Sequence, residues 1–114
     1  MTKVLYIDDD ESSALLKVMA RLLKPEGAEV DLANNLASGL ALARQKEYDL
    51  FILDGLEGKC WDFGREFPAS CEKTLIFFSN NQVIATAQRL GVFYIEKPKY
   101  EQVVDFYRLR FGKK

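Results

Sequence analysis

The chain has 114 residues, 48% of them hydrophobic, and a formal net charge of −1, which suits one domain with a real core and gives a nucleic-acid partner no electrostatic footprint. It contains no histidine, so Ser-His-Asp and Cys-His catalysis, histidine metal sites and a phosphohistidine of its own are excluded. No apolar run approaches the ~20 residues of a membrane span and no signal-peptide core is present, so a cytoplasmic protein with no membrane partner is expected.

In chain order, Lys3 to Ile7 predicts a short apolar strand that ends in Asp8-Asp9-Asp10-Glu11, with Ser12-Ser13 as caps of the helix that follows. The helix dipole accounts for Asp10 and Glu11. It accounts less well for Asp8 and Asp9, which sit at the strand end. Leu15, Leu16, Met19, Leu22 and Leu23 form a core stripe at helical spacing, and Lys24-Pro25-Glu26-Gly27 stops the helix. Glu29 to Ala33 alternates as an edge strand, and Asn34-Asn35 caps a second helix marked by Leu36, Leu40 and Ala43 and ending near Glu47.

Leu50-Phe51-Ile52-Leu53 has no polar alternation, the pattern of a strand buried on both faces, and it delivers Asp54 into the loop that starts at Gly55. The next stretch is weakly patterned, with at most a short third helix over Asp62 to Phe67. Trp61, Phe63 and Phe67 are expected to close the core there. Cys60 and Cys71 lack metal-ligand spacing and are expected to be reduced thiols, the first loop-exposed and the second packed. Leu75 to Phe78 predicts a fourth strand, ending at Ser79-Asn80-Asn81, which can cap a fourth helix over Gln82 to Leu90, with Gly91 as its C′ residue. Phe93-Tyr94-Ile95 is a fifth strand. It runs into Glu96-Lys97-Pro98-Lys99 and a fifth helix from about Tyr100 to Arg110.

Strands alternating with helices call for a doubly wound α/β fold, because right-handed crossovers place a helix against the sheet each time. The expected architecture is flavodoxin-like, a five-stranded parallel sheet in the order 2-1-3-4-5, with residues 1–114 forming one domain. The switch point in that order lies between strands 1 and 3, so Asp8, Asp9 and Asp54 become neighbours. At ~5 Å and an effective dielectric near 20, each like-charge pair costs on the order of 3 kcal/mol. A hard cation relieves that cost, and Mg2+ fits best because it accepts a few carboxylates, retains waters and completes its shell with phosphate oxygens. Ser79 and Lys97 stand at the remaining strand ends and could meet phosphate oxygens. These groups suit phosphoryl transfer to Asp54, which is already ionised at pH 7.

With Asp8-Asp9 after the first strand, Asp54 after the third, Ser79 after the fourth and Lys97-Pro98 after the fifth, the whole chain resembles the receiver domain of bacterial response regulators. Tyr94, three residues before Lys97, matches that family's aromatic switch position. The resemblance implies that Asp54 accepts a phosphoryl group from a partner's phosphohistidine, supplied by a histidine kinase or a histidine phosphotransfer protein. It further implies that Asp8, Asp9 and Asp54 hold Mg2+ with the Leu56 backbone carbonyl, that Ser79 and Lys97 contact the phosphoryl oxygens, and that Tyr94 rotates inward as Ser79 moves. The family's usual Met-Pro segment after the acceptor is replaced by Glu57-Gly58.

The leading expectation is therefore a stand-alone phosphoacceptor receiver, a switch that catalyses only its own phosphorylation and dephosphorylation. Its downstream target would be a protein docked on the fourth helix, fifth strand and fifth helix. Two alternatives are a pseudo-receiver that binds partners without phosphorylation, and a small Mg2+-dependent phosphohydrolase in which Asp8 of the Asp8-Asp9-Asp10 run is the nucleophile.

Overall fold

The computed structural model describes residues 2–8, 13–53, 74–77, 81–96 and 99–112, the side chains of 13–16, 81–84 and 90 excepted. Its strands are β1 (Thr2–Ile7), β2 (Ala28–Ala33), β3 (Leu50–Leu53), β4 (Thr74–Phe77) and β5 (Phe93–Ile95). The helices among the described residues are α1 (Ser13–Leu23), α2 (Leu36–Gln45), α3 (Asn81–Leu90) and α4 (Tyr100–Phe111), with a 3-10 turn over Lys24–Glu26 after α1. The expected helix near Asp62 to Phe67, the core roles of Trp61, Phe63 and Phe67, and the thiols Cys60 and Cys71 lie outside the described residues. No helix among the described residues is long and apolar enough to cross a membrane.

All strand pairings are parallel, as the alternation of elements predicts, and the order is β2-β1-β3-β4-β5, the flavodoxin-like order expected. Successive side chains on a strand point to opposite faces, and this sorts the core into two layers. Leu5, Ile7, Phe51, Leu53 and Ile76 face one way, against Ala43 and partly buried Leu36 and Leu40 of α2 and Ala87 of α3. Val4, Tyr6, Leu50, Ile52, Leu75 and Phe77 face the other, against Met19 and Leu23 of α1 and Val103 and Tyr107 of α4. That two-sided burial is why β1, β3 and β4 lack polar alternation. Burying a side chain such as Ile7 or Leu53 contributes about 1.5–3 kcal/mol. The sheet therefore sets the geometry of the strand ends, and the exposed Glu26 and Arg108 ion pair is an accessory tie between α4 and the 3-10 turn.

Local signals explain the boundaries. Asn35 caps α2 by accepting a hydrogen bond from the Ser38 amide at 2.7 Å. Gly27, at φ 92°, takes the left-handed conformation that turns the chain from the 3-10 turn into β2. The strand expected from Leu75 begins one residue earlier, because Thr74 is buried and pairs with Phe51. Helix α2 ends at Gln45, slightly ahead of expectation, where Lys46 becomes extended. From there the Lys46 ammonium reaches Asp31 at 3.1 Å.

Candidate functional site

The carboxyl ends of four strands come side by side. Ile7 pairs with Leu53, Leu53 with Ile76, and Phe77 with Ile95. The strand order reverses between β1 and β3, so the ends of these two strands form the crevice where open α/β sheets place their ligands. Helix α2 lies close to the same end of β1. A Cβ added at Gly39 would stand 2.2 Å from Ile7 Cδ1, so a side chain at that position would push the helix off the last residue of the strand.

Asp8 is the residue that β1 delivers there. Its amide donates to the Ala33 carbonyl at 3.0 Å, carrying the ladder one step past the strand. Its side chain is only 1% exposed, and a carboxylate so buried needs hydrogen-bond donors. One donor is the Tyr6 hydroxyl, 2.5 Å from Asp8 Oδ2. Tyr6 is itself fully buried in the layer under α1 and α4. The two-residue spacing puts both side chains on one face of the strand.

Of the other predicted site residues, Asp9, Asp54, Leu56, Ser79 and Lys97 lie outside the described residues. In the sequence, Asp54 follows Leu53, Ser79 comes two residues after Phe77, and Lys97 two after Ile95. Among the described residues no three His, Cys, Asp or Glu side chains gather as metal ligands. Asp8 alone represents the predicted ligand set there.

Tyr94 is described. It pairs with Ile76 in β5, is 37% exposed, and accepts a hydrogen bond from Gln88 Nε2 at 2.7 Å, which ties β5 to α3. On the neighbouring surface, Phe93 meets Phe106 of α4 edge to face at 5.2 Å, and the Arg110 guanidinium lies 5.2 and 5.9 Å from the two ring centres. Two rings and a guanidinium thus lie together where β5 meets α4.

Asp31, on the edge strand, accepts from the Tyr48 hydroxyl at 2.6 Å and from Lys46 at 3.1 Å. Burial pushes the Asp31 carboxyl up, but the bonds from Tyr48 and Lys46 outweigh it and hold the group below the usual carboxylate range. The Tyr48 phenol is pushed well up by burial and by its bond to Asp31. This cluster locks the α2–β3 connection to β2 and takes no part in the crevice.

Two residues of this region carried no signal that the sequence reading used. Tyr6 was available as a phenol two positions before an acid within an aliphatic strand, a spacing that puts both on one face. Gln88 had none, because its partner is reached only once α3 folds back beside β5.

No family model and no curated protein matches this sequence. Solved structures do. A two-component response regulator from Clostridium difficile is 23% identical with a TM-score of 0.80, covering 97% of this chain and 98% of that one. A receiver domain protein, CheY-like, from Methanospirillum hungatei is 22% identical with a TM-score of 0.77, covering 96% and 93%. A de novo designed Rossmann 2x3 protein is 18% identical with a TM-score of 0.73, covering 99% and 94%. At such identities the likeness shows the fold, the doubly wound sheet that receiver domains share. A designed protein among the matches makes the further point that function has to be argued from the residues at the strand ends.

Proposed function

We propose that residues 1–114 form a phosphoacceptor receiver domain of a two-component or phosphorelay pathway, with Asp54 as the acceptor. The observation that carries this reading is the pairing of Ile7 with Leu53 at the switch point, with the buried carboxylate of Asp8 leaving β1 and Asp54 next in the chain after β3. In the reaction, an Asp54 carboxylate oxygen attacks the phosphorus of a phosphohistidine on a histidine kinase or a histidine phosphotransfer protein. The new O–P bond forms as the N–P bond breaks, and the released imidazole nitrogen takes up a proton. Lys97 and Ser79 would meet the phosphoryl oxygens, a point charge and a hydroxyl suited to that task.

A divalent cation fits the chemistry of the donor set. Asp8 is a buried carboxylate at the crevice, and Asp9, Asp54 and the Leu56 carbonyl are oxygen donors of the kind Mg2+ accepts. When bound, Mg2+ would neutralise charge on the transferring group. These same residues leave catalysis confined to the protein's own phosphorylation and dephosphorylation.

Output would run through α3, β5 and α4 to a protein target. Phosphorylation adds close to two negative charges at Asp54, Ser79 follows them, and the space beside Tyr94 changes. Tyr94 has the features of a two-state element, since its ring is partly exposed and held by a hydrogen bond from Gln88. Amide chemical shifts recorded with and without beryllofluoride and Mg2+ test the reading. The expected changes include Asp8, Tyr94 and residues 82–90. Unchanged shifts at Asp8 would remove the crevice from the function, and changes that never reach Tyr94 would remove that face from the output.

A further inference from the structure

β2 is an outer strand of the sheet, with β1 on one side and no described strand on the other. The Ala33 carbonyl points toward β1, because it accepts from the Asp8 amide, and alternation along the strand then turns the backbone N–H and C=O groups of Val30 and Leu32 to the open edge. Their side chains are partly buried on the α1 face of the sheet. Between this edge and α1 lies a groove of about 490 Å3 lined by Ala20, Lys24, Gly27, Ala28, Glu29 and Val30. Lys17, Arg21 and Lys24, spaced four and three residues apart, recur along one side of the helix and are all exposed. No ion pair among the described residues involves their side chains, and α1 itself carries no acid. The groove therefore has an apolar floor, an open strand edge and an uncompensated cationic wall.

We propose that this edge takes up an extended acidic segment of a partner protein as an added strand beside β2. The backbone of the segment bonds to the outward groups of Val30 and Leu32, and every second side chain stands over the groove, where Lys17, Arg21 and Lys24 favour carboxylates. The alternate side chains lie on the other face with exposed Glu29 and with Asp31, already bonded to Tyr48 and Lys46. Acids at those positions are disfavoured, so the edge selects a segment acidic on one face only. A second copy of this chain is a poor occupant. Antiparallel pairing of two β2 edges would set Glu29 and Asp31 against their own kind on one face and the α1 cations together on the other. The proposal does not depend on the chemistry assigned to Asp54.

The test is NMR titration of the protein with the acetylated, amidated peptide Thr-Glu-Thr-Val-Thr-Glu-Thr, with a version carrying Lys in place of each Glu, and with the Glu peptide N-methylated at Val and at the Thr before it. The Glu peptide should shift the amides of Val30 and Leu32 and slow their hydrogen exchange, and added NaCl should weaken it. The Lys peptide should bind at least about tenfold more weakly, and so should the Glu peptide to Lys17→Glu/Lys24→Glu, in which two exposed cations are reversed. Both positions are exposed, so the double variant should keep the wild-type fold, checked by its amide spectrum. The N-methylated peptide, which cannot complete the strand bonds, should leave the Val30 and Leu32 amides unprotected. No change at Val30 and Leu32 with the Glu peptide overturns the proposal, as does equal binding of the Lys peptide. Equal binding of the N-methylated peptide overturns strand addition and leaves side-chain docking on α1 as the mode. Dimerisation of the protein alone, with protection of the same two amides, would assign the edge to a second copy instead.

Discussion

Gly39→Ala puts the packing beside the crevice to a quantitative test. In an exposed helix interior this change stabilises by about 0.8–1.0 kcal/mol, because alanine is the better helix former. At Gly39 the new methyl would lie 2.2 Å from Ile7 Cδ1, 2.7 Å from Cγ1 and 3.3 Å from Cγ2. Carbon atoms are comfortable at about 3.5–4.0 Å, so Cδ1 has to retreat by roughly 1.3 Å or more. Ile7 is fully buried and, being β-branched, has few alternative rotamers. Overpacking of this kind costs about 1–3 kcal/mol, which exceeds the helix gain. The net expectation is a loss of about 1 kcal/mol, seen as a fall of roughly 4 °C in melting temperature for a domain of this size. Urea or thermal unfolding followed by circular dichroism measures it. Ile7→Val removes the atom of closest approach and costs about 0.5–1.5 kcal/mol alone, so the double variant should lose less than the sum of the single losses. A Gly39→Ala protein that is more stable than the wild type, with losses that simply add in the double variant, would refute the close approach of α2 to β1.

Three further expectations follow from the same structure. The Asp31 carboxyl is held below its ordinary value, so its contribution to stability is present above about pH 4, where the unfolded carboxylate is already ionised, and is lost as pH falls through the folded value; Asp31→Asn should flatten that acid limb and cost about 0.5–1.5 kcal/mol at neutral pH, read from urea midpoints across pH 2–7. Mg2+ at ten times its dissociation constant should add about 1.4 kcal/mol and a few degrees to the melting temperature, and identical melting with Mg2+ and with EDTA would remove the shared-cation argument. Gln88→Ala deletes the hydrogen bond that holds Tyr94 outward, so beryllofluoride should bind about 2–10-fold more tightly; equal or weaker binding means that Gln88 does not oppose the switch.

What could be read from the chain alone depended on how local each cause is. The buried run Leu50–Leu53 announces β3 because both of its faces need apolar partners. Asn35 and Gly91 mark helix ends through their own backbone and side-chain preferences, and Gly91 does take the left-handed conformation, at φ 73°. The parallel, doubly wound sheet followed from alternation and crossover handedness, rules that do not need contacts to be known, and the order 2-1-3-4-5 was the flavodoxin-like expectation among the orders those rules allow. The bond from Arg108 to Glu26 joins residues 82 positions apart, and nothing in either neighbourhood specifies it. The approach of Gly39 to Ile7 was equally hidden, since a glycine within a helix looks like a local weakness until the strand it faces is known. At the crevice, the acid run after the first strand pointed to Asp8, which stands directly after β1, whereas Tyr94, in the middle of β5, was singled out only by resemblance to an aromatic switch position. The bond from Tyr6 to Asp8, though its spacing stands in the sequence, and the exposed amide that holds Tyr94 emerged only from the folded arrangement.

In the proposed function the carboxyl ends of β1, β3, β4 and β5 serve one acceptor, Asp54. Intact mass spectrometry after incubation with acetyl phosphate and Mg2+ tests it most directly, on the wild type, Asp54→Ala and Asp8→Ala. The expected result is a gain of a single phosphoryl group in the wild type, none in Asp54→Ala, and a diminished gain in Asp8→Ala because the acceptor is intact but its cation is poorly held. A phosphoryl gain that survives in Asp54→Ala and vanishes in Asp8→Ala would overturn the assignment of Asp54 and move the nucleophile to Asp8.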